Sequence, residues 1–245
     1  MKTSDEDRSL VHTNDGGGLP TPAGQTLWNE EYRDTKAIPS SDRAEPSQAL
    51  LTAEEELDLQ SVDTAIDMGC GNGRNTVYLA EQGIDVYALD FAEEAIAKTQ
   101  QQLAQSGLSD AVTMFLTDVT EGLPFVDDAV DLIVDSYMSC HLFEEAQLEE
   151  YFAEVRRVLS PEGKFYWAGL GTTDEYYNSI ADTHPATNTI VDPLNGIAKR
   201  LYDADQLKVQ LPFGKSPETA SELVFEDEVD NELYQRSIVW AVFEN

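Results

Sequence analysis

The chain has 245 residues, 41% of them apolar, enough for one sizeable α/β core with an appended arm. Forty-seven acidic residues stand against 15 basic ones, a formal net charge of −32, and no Lys/Arg cluster is larger than an adjacent pair such as Arg156–Arg157, which excludes a broad nucleic-acid surface because neutralising phosphates takes clustered cations. Two cysteines, Cys70 and Cys140, are too few for a disulfide scaffold or a zinc site, no run approaches the roughly 18 apolar residues of a membrane span, and the polar N-terminus has no secretory core, so a cytoplasmic protein is expected.

Residues 1 to about 24 are polar, rich in Gly, Pro and Asp and without periodicity, which predicts a disordered tail. From residue 25 aromatics return. Trp28, Tyr32 and Ile38 read as an arm, residues 25–45, docking on the single domain that fills the rest of 25–245. Pro46 followed by "SQALLTAEEELDL" predicts a short opening helix. The chain then alternates: "DTAIDMG" reads as a buried strand and "GRNTVYLAEQG" as a helix closed by Gly83. "IDVYALD" is the next strand, "FAEEAIAKTQQQLAQSG" a helix with Ile96, Thr99 and Leu103 on one face, "AVTMFLTD" a third strand and "AVDLIVDS" a fourth. "EEAQLEEYFAEVRRVLSPEG" places Leu148, Tyr151, Phe152, Val155 and Leu159 on one helical face, and "KFYWAGL" is a fifth strand. Such alternation predicts a doubly wound, mostly parallel sheet with its ligands at the carboxyl edge. Residues 170–200 read as a long loop over that edge, and "ASELVFEDEV" with "RSIVWAVFEN" as a closing hairpin.

The first strand runs straight into Gly69-Cys70-Gly71-Asn72-Gly73. A dinucleotide fingerprint would need its third glycine at position 74, which is Arg74, and a P-loop would need a lysine that is not there. Asp90 ends the second strand, where a carboxylate accepts ribose hydroxyls, although it also sits where a helix N-cap would. Asp67, just before the loop, is unfavourable beside a pyrophosphate and favourable beside a cation, or else it anchors the loop. A ribose, an adenine and a cationic amino-acid end together describe S-adenosylmethionine.

"AIDMGCGNGRNTVYLAEQGIDVYALD" resembles the first two motifs of the class I S-adenosylmethionine-dependent methyltransferases, with the acid and glycines at Asp67, Gly69, Gly71 and Gly73. "FLTDV", "AVDLIVDSYMSCHL" and "VRRVLSPEGKFYW" resemble later landmarks of that family, over about residues 46–170. The resemblance implies an α/β, Rossmann-like, mostly parallel seven-stranded sheet whose last strand enters antiparallel. It implies a cofactor site of Asp67, Gly69, Cys70, Gly71, Gly73, Asp90, Phe91, Asp118, Val119 and Asp135, with Asp118 at the adenine. It also implies in-line attack on a sulfonium methyl, without a metal or a covalent enzyme intermediate.

His141, and more weakly Asp135, are candidate catalytic groups at the fourth strand's end, since a histidine titrating near neutral pH suits a base; a structural role for His141 is the alternative. Trp28, Tyr32, Tyr137 and Tyr176 are candidate acceptor-side residues, with Tyr177 and His184 as further contacts. Cys70 reads as packing, not as a nucleophile. The expected partner is a small-molecule acceptor; a protein acceptor, a noncatalytic nucleoside-binding regulator and a nicotinamide oxidoreductase are the competing readings. The acidity and the presence of only seven lysines further predict a protein adapted to concentrated salt, where counterions screen self-repulsion.

Overall fold

The computed structural model describes residues 23–35, 37–184, 186–207 and 211–245; the tail expected over 1–22 lies outside the described residues. The arm opens as α1 (Gln25–Glu30), passes through a wider π turn over Glu31–Thr35, and leads by an extended stretch to α2 (Gln48–Thr52) and α3 (Glu54–Leu57). The predicted alternation follows: β1 (Thr64–Met68), α4 (Arg74–Glu81), β2 (Asp85–Asp90), α5 (Glu93–Ser106), β3 (Val112–Leu116), β4 (Val130–Ser136), α6 (Glu145–Val158) and β5 (Leu159–Gly171). Gly107 stops α5 in the left-handed conformation, φ 72°, which a residue with a Cβ adopts only at a cost.

These five strands pair in parallel in the order β3-β2-β1-β4-β5. The chain winds outward from β1 to β3 and then returns to β4, so the switch point lies between the carboxyl ends of β1 and β4. Apolar residues cover both faces. Leu132 and Val134 of β4 join Leu79, Leu103 and Tyr166 in one core layer, whereas Ile133 joins Phe152, Val155 and Phe165 in the other. This period-2 division is what both-sided helix cover demands of a parallel strand.

β8 (Thr219–Val229) and β9 (Glu232–Glu244) form the predicted terminal hairpin, with the two-residue turn Asp230-Asn231 at φ 54° and 65°. Positive φ at both turn residues matches the right-handed twist of the flanking strands. β9 enters antiparallel beside β5, completing the Rossmann-like seven-stranded sheet β3-β2-β1-β4-β5-β9-β8. Its exposed edge, β8, carries Glu222, Glu226, Asp227 and Glu228, charges that discourage pairing with another chain.

The segment expected to be a loop over 170–200 is instead built. It holds α7 (Glu175–Ile180), capped by Asp174, and the antiparallel pair β6 (Thr189–Val191) and β7 (Ala198–Tyr202). Leu170 of β5 pairs with Ile238 of β9 on one edge and with Leu201 of β7 on the other, so β7 continues the edge that β4 leaves at Ser136. A second short strand pair therefore stands directly above the carboxyl end of β4. The sequence hides it because β7 carries Lys199 and Arg200, and Lys199 is buried there only because Asp192 accepts its charge. No helix among the described residues is long and apolar enough to cross a membrane.

Candidate active site

The loop after β1 is shaped by its backbone. Gly69, Gly71 and Gly73 have φ of 64°, 61° and 86°. A Cβ on Gly71 would lie 2.6 Å from the Tyr32 hydroxyl, and one on Gly73 would lie 2.9 Å from the Cα of Thr99. The loop thus fits only as glycine between the arm above and α5 beneath. Thr99 Oγ1 donates to the Gly71 carbonyl at 3.0 Å, and Cys70, buried, packs its Sγ 3.6 Å from the same hydroxyl. Burial holds the Cys70 thiol well above its ordinary range, consistent with packing.

Asp90 organises the next corner. One carboxylate oxygen accepts from Gly71 N at 3.0 Å and the other from Ala92 N at 2.9 Å; burial, opposed by these bonds, pushes its pKa up to about 6. It is therefore both a ligand of the loop and a start signal for α5. Phe91, Asp118 and Val119 line the same wall of a cavity of about 1160 Å³. Asp118 spends one oxygen on Thr120 N and Oγ1, and its other oxygen makes no hydrogen bond to the described residues.

Two carboxylates expected at the site stand behind it. Asp67 accepts from Thr76 Oγ1 at 2.6 Å and anchors α4 to β1; burial raises its pKa to about 6, and it does not line the cavity. Asp135 accepts from Met138 N at 2.9 Å, Ser139 N at 3.2 Å and Tyr151 Oη at 3.0 Å, entirely within the core. Strand alternation turns Asp135 toward α6 while its neighbour Ser136 lines the cavity. Asp135 holds the turn that carries His141 and does not line the cavity.

The other wall comes from several segments. Tyr137 lines it at φ 72°, a strained conformation for a bulky residue, with its hydroxyl 3.3 Å from Ser47 Oγ. Trp28 and Tyr32 stack at 6.0 Å, and Trp28 meets His141 edge-on at 4.8 Å. The arm is tied down through Gln25 Nε2 to Phe91 O, Asn72 Nδ2 to Arg43 O, and Ser47 N to Asn75 Oδ1. Glu31, fully buried, accepts from Ile38 N at 2.8 Å and from Asn195 Nδ2 at 3.0 Å, joining the arm to the β6–β7 turn.

His141 Nδ1 lies 2.7 Å from the Ala198 carbonyl, so that nitrogen carries the hydrogen and Nε2 keeps its lone pair. Burial, reinforced by the positive charge of Lys199, lowers the ring's pKa to about 3. The expected titration near neutral pH does not occur; the imidazole is a neutral acceptor in the cavity wall. Tyr177 lines the cavity, whereas Tyr176 turns away to pack on Tyr177 and Tyr234, and His184 is exposed and bonded to Thr187.

Sequence reasoning missed Arg74, Lys199 and Arg236, all of which line the cavity. Arg74 registered only as an absent glycine, yet it opens α4 with no ion pair among the described residues and lies in the cavity wall. It is the free cation that the carboxylate of an amino-acid ligand requires. Together, glycines whose Cβ positions are filled, Asp90 with lone pairs to spare, an unused oxygen on Asp118 and an unpaired Arg74 fit an adenosyl amino acid.

The sheet order and the glycine loop are those of a Rossmann-like methyltransferase fold. Residues 65–163 match the family model described as a methyltransferase domain. An uncharacterized methyltransferase of Synechocystis is 27% identical over 151 residues, covering 62% of this chain; the chain spans only 61% of that relative's length. Among solved structures, one concerning the conversion of a disulfide bond into a thioacetal group during echinomycin biosynthesis superposes with a TM-score of 0.69 at 20% identity, covering 91% of this chain and 93% of that one. A Burkholderia thailandensis 1,6-didemethyltoxoflavin-N1-methyltransferase, with 1,6-didemethyltoxoflavin and S-adenosylhomocysteine bound, gives 0.62 at 16% identity over 93% and 94% of the two chains. At those identities the likeness is one of fold.

Proposed function

We propose that the chain, as one domain over 25–245, transfers a methyl group from S-adenosylmethionine to a small-molecule acceptor held in the same cavity. The observation that carries this reading is the composition of the cavity: a wall of glycines and carboxylates, Gly69, Gly71, Asp90 and Asp118, is joined by an aromatic wall of Trp28, Tyr32, Tyr137 and Tyr177. At about 1160 Å³ the cavity exceeds the roughly 300–1,000 Å³ of an ordinary single-ligand pocket. Gly69, Gly71, Asp90, Phe91, Asp118, Val119 and Arg74 would hold the cofactor. Bound there, it supplies an electrophilic methyl group on a sulfonium. The protein's part is to align and desolvate. Tyr137 and His141 form the wall at the end of β4, His141 Nε2 accepts a hydrogen bond from the acceptor, and Trp28 and Tyr32 cover the site. That cover supports a small acceptor over a protein, as does the bound small molecule in the Burkholderia enzyme.

Calorimetric titration with S-adenosylmethionine, S-adenosylhomocysteine and NAD tests the reading. Binding of the first two without NAD is expected, and binding of NAD alone overturns it. Labelled cofactor incubated with cell extract should then yield a methylated small molecule; cofactor binding with no product from any extract would instead favour a regulatory protein.

We also infer adaptation to concentrated salt in a reducing cytosol. The net charge of −32 and two unbridged, buried cysteines support it. The melting temperature should climb with KCl from millimolar to molar concentration, and a chain most stable without salt would refute the adaptation.

A further inference from the structure

Beyond the wall that holds the nucleoside, three hydrogen-bond donors converge from separate elements: Tyr177 of α7, Lys199 of β7 and Arg236 of β9, all lining the cavity. Lys199 Nζ stands 5.0 Å and Arg236 Cζ 5.4 Å from the Tyr177 ring centroid, so one aromatic ring sits against both cations. The side chains of Lys199 and Arg236 are only 3% and 8% exposed.

Two of the three carboxylates that meet their charges stand behind the cavity wall, and the third, Asp227, lines it. Asp192 accepts from Lys199 Nζ at 3.1 Å, and Asp174 from Arg236 Nε at 2.9 Å; neither carboxylate lines the cavity. Asp227 takes Arg236 Nη1 at 3.1 Å and pairs on its other side with Arg43. Three cations against three carboxylates leave the cluster neutral, so surplus charge is not its distinguishing feature. Unfilled donors are. Arg236 Nη2 has no acceptor among the described residues, Lys199 uses one of three N–H bonds on Asp192, and the Tyr177 hydroxyl makes no hydrogen bond among them. These donors belong to side chains that are almost wholly buried yet line the cavity, where a ligand can fill them. Asp174 fixes the geometry by also capping α7 through Tyr177 N at 3.0 Å, holding Tyr177 and Arg236 in register.

We propose that this cluster is an oxyanion subsite and that the methyl acceptor is a small organic acid whose carboxylate docks between Tyr177, Lys199 and Arg236. This rests on the methyl-transfer reading. A planar carboxylate takes two charge-assisted bonds from an arginine edge or from an arginine and a lysine together, whereas an amide of the same shape brings one acceptor and donors of its own. In so acidic a chain, an anion repelled by the surface finds its matching donors only inside.

The test is calorimetry on the full chain, at one ionic strength, with and without saturating S-adenosylhomocysteine. The probes are shape-matched pairs: acetate with acetamide, benzoate with benzamide, 4-hydroxybenzoate with its amide. An acid should bind about tenfold or more tightly than its amide. Lys199→Met and Arg236→Gln should abolish the preference while S-adenosylhomocysteine affinity stays within about twofold. Should either variant fail to fold, Tyr177→Phe removes a single hydroxyl and should cut the preference roughly threefold to tenfold. Acids binding no better than amides, no probe binding at all, or a folded Lys199→Met that keeps the preference overturns the subsite. Loss of S-adenosylhomocysteine binding in the wild-type chain instead overturns the methyl-transfer reading, and the titrations without that ligand still report on the subsite.

Discussion

The two walls of the cavity are built in opposite ways. The wall proposed for the nucleoside is drawn from one stretch, residues 69–119, and is shaped by its backbone: three left-handed glycines, the start of α5, and one carboxylate bonded to the glycine loop. The acceptor wall is gathered from the arm, the turn after β4, α7, β7 and the terminal hairpin, and works through side chains held by distant partners, as His141 is by Ala198 and Arg236 by Asp174. A contiguous wall tolerates little change in the backbone, and the arm touches it only at a few points such as Gln25 and Tyr32. A composite wall tolerates change at single positions and depends on several elements docking together.

The difference can be broken most sharply at Gly73. A Cβ there meets the backbone of α5 at φ 86°, with no flexible side-chain end to give way. Gly73→Ala should cost about 3 kcal/mol of stability, summing backbone strain and overpacking, and should abolish cofactor binding. Urea denaturation reads the first effect; a loss below about 1 kcal/mol would mean that the loop is not locked against α5. Next, Asp90→Asn should weaken S-adenosylhomocysteine binding roughly 10- to 100-fold by removing a charged acceptor. An unchanged affinity would leave Asp90 as a helix-start residue only.

On the composite wall, Trp28→Ala removes the edge-on contact with His141 and the cover above it. The acceptor's KM should rise roughly twofold to tenfold with the S-adenosylhomocysteine Kd unchanged; a parallel loss of both would show the arm to be part of the nucleoside wall. The smallest effect concerns pH. His141 is neutral in the folded chain down to about pH 3, while an exposed histidine protonates below about 6.5. Its contribution to stability is therefore complete above pH 6.5 and is lost as pH falls toward 3. His141→Gln should flatten that acid limb, and turnover should show no inflection from this residue between pH 5 and 8. A step near 6.5 that vanishes in the variant would restore His141 as a titrating base.

The alternation through residue 170 was legible because strands and helices carry their own periods and α4 and α5 end at Gly83 and Gly107. Residues 170–200 were not, because the short β6–β7 pair has no apolar alternation of its own and exists through Asp192, Glu31 and the open edge of β5. The same division runs through the site. Gly69, Gly71, Gly73 and Asp90 stood out by type and spacing, whereas Asp67 and Asp135 share the type yet turn into the core, since a strand sends neighbouring side chains to opposite faces and no spacing announces which.

From the sequence alone came the parallel sheet, the cofactor loop and the identity of the cofactor, all properties of local backbone conformation and of residues close along the chain. Only the tertiary structure decided which carboxylates reach the cavity, that Arg74 has no ion pair among the described residues, that His141 is neutral, and that Lys199 and Arg236 both stand against the Tyr177 ring. Those are facts of burial and of partners dozens of residues away, and a charge or a proton responds to its surroundings in space, not to its neighbours in sequence.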